Sequence, residues 1–292
     1  MAGFTSDGRT YTKIESGWVD KETYAAADMR KLRSPEITGD FFEINFGMNG
    51  LSKSECAEMR NIYASMPENI RPAYEEAFRE VGYGVSNRGC AYFSPVEDKI
   101  RLTTQSDAET VIHEMSHRID CGAVDKTVDL EGFKGYHIVN ASQYIDHLGN
   151  EQEQRNADFE AMARVVGYET NGTGWFGGKH YSDESYNAER VGAYVKFAHE
   201  HSGIPGISCV SDAMSALTLN SCGETLYGGH ERGYLMQAYG GENSSYRSRE
   251  YWANYCQLRI SGKIEALELL KQVSPNMYAA AEETFREAFG DG

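Results

Sequence analysis

Five consecutive residues, His113-Glu114-Met115-Ser116-His117, combine residue types and spacing that suit metal-assisted hydrolysis. On a helix, positions four apart stand about one turn apart and are offset by roughly 40°, so His113 and His117 point the same way. Two neutral imidazoles placed like this can grip one ion. Glu114 stands beside them, where its carboxylate can act as general base toward a water that the ion activates. Zinc is the ion this donor set predicts, because it accepts imidazole nitrogen and keeps a coordination position open for water. Asp120 follows one turn beyond His117, where an acid can anchor the outer shell of a ligand.

Two histidines call for a third protein ligand. Three downstream acids are candidates. Glu250 lies in Glu250-Tyr251-Trp252-Ala253-Asn254-Tyr255, where Ala253 is small enough to let a second helix approach the first. Asp158 lies in Asn156-Ala157-Asp158-Phe159-Glu160-Ala161, with the same carboxylate and alanine spacing. Asp129 lies in Thr127-Val128-Asp129. Spacing does not choose among them.

The elements that must position these residues are partly legible. Lys99-Ile100-Arg101-Leu102-Thr103-Thr104 alternates polar and apolar, as a half-buried strand does. Ser106 or Asp107 can cap a helix that runs through Ala108-Glu109-Thr110-Val111-Ile112 into the histidine motif. A strand feeding a motif helix is the arrangement that zincins use. Earlier helices are predicted over Ser54–Tyr63, ended by Pro67, and over Ile70–Val81, with Tyr74, Phe78 and Val81 on one side. Later ones are predicted over Gln152–Val166, Glu189–His201, Asp212–Leu217, Arg249–Ile260, Ile264–Gln272 and Tyr278–Phe289. The glycine-rich stretch from Thr170 to His180 and the Gly228-Gly229-His230 segment read as loops.

Composition narrows the function classes. The chain has 292 residues and a net charge of −16. That acidic balance argues against nucleic acid or anionic lipid as a partner, while a protein or peptide substrate is the expectation from the histidine motif. No apolar run approaches the roughly 20 residues of a membrane helix, and Met1–Trp18 lacks an apolar signal core. The six cysteines form no CxxC pair and read as reduced, mostly buried thiols, with Cys209 to Cys222 the conceivable disulfide.

Three blocks of the chain resemble the lethal-factor-like gluzincin metallopeptidases found in toxins and in phage or mobile-element proteins. The first is the strand Lys99–Thr104 with His113 to Asp120. The second is Asp212-Ala213-Met214-Ser215-Ala216-Leu217 with Gly229-His230-Glu231-Arg232-Gly233-Tyr234. The third is Glu250–Tyr255, then Leu269-Leu270-Lys271, Pro275 and Glu282–Phe289. The resemblance covers about half the chain. It implies Glu250 as third zinc ligand and His230 or Tyr234 as hydrogen-bond donor to the oxyanion of a tetrahedral intermediate. It also implies a phage- or mobile-element-associated protein, and the lack of a signal core or membrane helix gives a cytoplasmic one as the other expectation.

The expected architecture is an α+β, zincin-like metallopeptidase domain over 51–292, mostly helical with a small sheet beside the HExxH helix. An irregular amino-terminal arm, 1–50, precedes it. The long gap after His117 departs from the family pattern and marks 121–205 as an insertion. That gap keeps one alternative open, and a second stands apart from it. One is an aspzincin, in which Asp129 is the third ligand and Asn156-Ala157-Asp158 the downstream signature, although Lys126 stands where that pattern has glycine. The other is a catalytically silent zincin-fold structural protein of a phage or mobile element.

Overall fold

The computed structural model describes residues 3–6, 9–14, 17–20, 37, 39–130, 133–149, 152–167, 184–218, 230 and 246–290. Strands β1 (Gly3–Ser6), β2 (Arg9–Ile14) and β3 (Gly17–Asp20) form an antiparallel meander. Helix α1 (Gly39–Asn45) and a 3₁₀ turn (Gly47–Asn49) follow, then α2 (Lys53–Ser65) and α3 (Arg71–Glu80). Tyr74, Phe78 and Val81 are all buried, and Phe42 and Phe46 pack with them in the hydrophobic core.

A second sheet supports the histidine motif. Strands β4 (Gly82–Val85), β5 (Tyr92–Ser94) and β6 (Lys99–Leu102) take the order β4-β6-β5, with β4 parallel and β5 antiparallel to the central β6. Ile100 and Leu102 are buried while Lys99 and Arg101 are only half-buried, which is the period-two signal of the sequence realised. Ser106 Oγ accepts the N–H of Thr103 at 2.9 Å and tightens the turn that follows β6. Asp107 caps α4 (Ala108–Asp120), accepting the Thr110 N–H at 2.7 Å. Val111, Ile112, Met115 and Ile119 bury one face of that helix.

Beyond α4 the chain forms a hairpin of β7 (Cys121–Leu130) and β8 (Phe133–Asn140) and then turns helical. The helices are α5 (Ala141–Gly149), α6 (Gln152–Val166), α7 (Glu184–His201), α8 (Ile207–Thr218), α9 (Tyr246–Ile260), α10 (Ile264–Val273) and α11 (Pro275–Phe289). The fold is therefore α+β and mostly helical, with small sheets. The hairpin and α5 have no counterpart in the sequence reading, and α8 starts five residues earlier than Asp212. Among the described residues no helix is long and apolar enough to cross a membrane. Cys56, Cys209 and Cys256 are buried thiols, and Cys222 lies outside the described residues.

Helix α9 is buried on nearly every side and packs against α4, α5, α8 and α10. Its contact with α4 is close, because Ala253 is fully buried and Trp252 Nε1 donates to the Ser116 carbonyl at 3.1 Å. Gly206, at φ 87°, starts the turn into α8. A side chain there would meet Leu258 Cδ2 at 2.6 Å, so only glycine brings α8 this near α9.

Asp158 shows how distant parts of the chain are stitched together. It is buried in α6 and accepts hydrogen bonds from Asn276 N at 2.8 Å, Asn276 Nδ2 at 3.0 Å and Met277 N at 3.0 Å. It thus caps α11, whose own N-cap residue, Ser274, makes no side-chain cap bond. Asp158→Ala should lower stability by about 1–3 kcal/mol in urea unfolding, because it strands two N–H donors of that helix end, one buried and one partly buried. An unchanged midpoint would refute the capping role.

Candidate metal centre

Helix α4 sets His113 and His117 one turn apart, and α9 brings Glu250 against them. The three candidate ligand atoms form a nearly regular triangle. His113 Nε2 and His117 Nε2 are 3.2 Å apart, and Glu250 Oε2 is 3.3 Å from the first and 3.4 Å from the second. Zinc bonds of about 2.0–2.1 Å at tetrahedral angles separate ligand atoms by roughly 3.3–3.4 Å. The donor set and its spacing therefore fit a tetrahedral zinc ion, whose fourth position three protein ligands leave open. The imidazole rings are held edge to face, with an interplanar angle of 84°.

Outer contacts orient this triangle. Gln257, two turns beyond Glu250 on α9, places Oε1 at 3.1 Å from His113 Nδ1. An Nδ1–H donated to that oxygen leaves the Nε2 lone pair for the ion. Asp120, fully buried, accepts from Arg249 Nε at 3.1 Å, Ser142 N at 2.7 Å and Ser142 Oγ at 2.8 Å. It thereby joins the end of the motif helix to the residue preceding Glu250. Ser116, inside the motif, is buried against Tyr74, whose hydroxyl lies 2.7 Å from its Oγ.

Glu114 is also buried, and its Oε2 accepts the backbone N–H of Phe93 at 2.7 Å. The edge strand β5 thus fixes the rotamer of the candidate base. Both face a cleft of about 290 Å³ whose walls include Tyr92, Phe93, Thr110, His230 and Arg249.

His230 reaches the same centre. Its backbone N–H and its Nδ1 both lie 2.9 Å from Asp212 Oδ1, and Nδ1 is 3.6 Å from Glu250 Oε2. Asn254 Nδ2 holds the other oxygen of Asp212 at 2.7 Å. Asp212, Asn254 and Gln257 have no local sequence signal as site residues, since each acts through a partner distant in the chain. Tyr234 lies outside the described residues, as do Gly228, Gly229 and 170–180.

The other two acids are engaged elsewhere. Asp158 caps α11, as described above. Asp129 lies in the β7–β8 hairpin, exposed, where its Oδ1 accepts the Gly135 N–H at 2.9 Å. Among the described residues, neither joins a group of three or more histidine, cysteine or carboxylate ligands.

The electrostatics favour positive charge. Burial alone would lower the His113 imidazole, but the hydrogen bond to Glu250 and the charges of Glu114, Glu250 and Asp212 carry it up to about 9. Burial pulls His230 down likewise, and the Glu250 charge with the Asp212 hydrogen bond and charge raises it to about 9. Burial would raise the Glu250 carboxyl, yet the charges of His117 and His230 and the hydrogen bonds of His113 and His117 hold it well below the ordinary glutamate value. A field that holds protons on these imidazoles also attracts a divalent cation.

Comparison with protein-family models, with curated proteins and with solved structures found no match.

Proposed function

We propose that this chain is a zinc-dependent metallopeptidase with a gluzincin-like, zincin-type site, in which His113, His117 and Glu250 hold the metal and Glu114 is the general base. The ligand triangle with edges of 3.2–3.4 Å carries this reading. When bound there, zinc supplies Lewis acidity toward water and the scissile carbonyl.

The chain's own residues supply the rest. Glu114 takes a proton from the attacking water at its carboxylate and returns it to the leaving amine. The Phe93 N–H occupies one oxygen of that carboxylate, so the other carries the proton. Asp212 engages His230 at Nδ1, which leaves Nε2 to donate a hydrogen bond to the developing oxyanion. Burial of Glu114 and Glu250 limits the water that reaches both carboxylates.

The test is hydrolysis of a broad peptide library by the purified protein, before and after chelation and after zinc is restored. Cleavage should vanish with the chelator and return with zinc. Glu114→Gln should lower turnover by about 10²–10⁴-fold while the protein keeps its zinc. Full activity in that variant would sink the mechanism. Zinc-loaded protein that cleaves no peptide would instead fit a structural role for the site.

A further inference from the structure

Glu250 belongs to two groups of convergent ligand atoms. The second contains Asp212, His230 and Glu250. His230 Nδ1 lies 2.9 Å from Asp212 Oδ1 and 3.6 Å from Glu250 Oε2. Donors at right angles around an ion with bonds of about 2.0–2.1 Å stand about 2.9 Å apart. The His230–Asp212 edge matches that spacing, so an ion there takes the place of the proton that otherwise joins the two atoms and leaves His230 Nε2 free to donate.

Its carboxylates are built in rather than solvated. Asp212 is 8% exposed and Glu250 1%. Asn254 Nδ2 holds Asp212 Oδ2 at 2.7 Å, the kind of outer contact that orients a ligating carboxylate. The His230 N–H on Asp212 Oδ1 fixes where the imidazole enters. One imidazole and two carboxylates form a mixed nitrogen and oxygen donor set, which suits Zn²⁺ or Mn²⁺ rather than a thiophilic ion.

We propose that Asp212, His230 and Glu250 form a second, weaker divalent-cation site that shares Glu250 with the first. The centre is then dinuclear when metal is in excess, with Glu250 as the bridging carboxylate. This rests on the reading of His113, His117 and Glu250 as the primary site. The second ion meets the charge of the first, so it should bind at least about a hundredfold more weakly.

Calorimetric titration of the chelator-treated full chain with zinc chloride tests this. The expected result is two equivalents in the wild type and one in Asp212→Asn, with the tight first event unchanged. Retention of that first event also reports that the variant is folded. His230→Ala provides a second route to the same loss, because its half-exposed side chain tolerates truncation. Electron paramagnetic resonance of the Mn²⁺-saturated wild type should show a spin-coupled pair. A single equivalent in the wild type would overturn the second site and leave the first intact. Two equivalents retained in both variants would also overturn it. No tight equivalent at all would remove the primary reading, and this one with it.

Discussion

Glu250→Gln should release zinc and abolish peptide hydrolysis together. The amide matches the carboxylate in size, so α9 keeps its packing around a residue that is almost fully buried. What it loses is the charge and the oxygen that stand 3.3 and 3.4 Å from the two imidazoles. Structural zinc sites are worth about 10–16 kcal/mol over four ligands, so one ligand contributes about 3 kcal/mol, or more than about a hundredfold in affinity. Competition against a chromophoric chelator measures this directly. Four acid variants separate the possibilities. Glu250→Gln loses metal and activity, Glu114→Gln loses activity alone, and Asp129→Asn and Asp158→Asn keep both. Wild-type zinc affinity in Glu250→Gln would eliminate it as a ligand, and loss in Asp129→Asn would transfer the role to that acid.

These four acids also mark how far the sequence could be read. His113, Glu114 and His117 were legible because their geometry is local: a four-residue spacing on a helix whose start is signalled by Asp107. The half-buried β6 was legible for the same reason, through its alternation. The choice among Glu250, Asp158 and Asp129 was not, since in an acidic chain each has an equally plausible neighbourhood. What separates them is tertiary. Asp158 is engaged by the start of α11, over a hundred residues away, and Asp129 by its own hairpin. The β7–β8 hairpin escaped the sequence reading because register shifts between Cys121 and Lys126 and between Val128 and Leu130 break the period-two pattern. Helix α5 escaped because its first turn is tied down by Asp120 of α4 rather than by a residue just before it. Asp212 reads from the sequence as the start of a short helix in the second block of the resemblance. Its contacts with His230 and Asn254 exist only once α8, α9 and His230 are brought together.

Asp120 should be the most costly outer residue to remove. Asp120→Ala takes from Arg249 the buried carboxylate that neutralises it, and takes from Ser142 the acceptor of its N–H and hydroxyl. Arg249 is only 5% exposed, so its charge is poorly hydrated where it stands. Breaking a buried pair from one side costs about 3–5 kcal/mol, far more than an exposed pair is worth. The damage should reach the metal, because Asp120 ends the helix that carries both histidines and Arg249 immediately precedes Glu250. A zinc affinity about 10–100-fold lower is the expected consequence, comparable with other losses of outer-shell support. A double-mutant cycle distinguishes this pairing from general core damage. Arg249→Met combined with Asp120→Ala removes both charges at once, so the two stability losses should fall short of additive by about 1–3 kcal/mol. If the losses add to within about 0.5 kcal/mol, the two side chains are not energetically coupled. The link between the motif helix and the Glu250 helix would then rest on Trp252 and Ser116 instead.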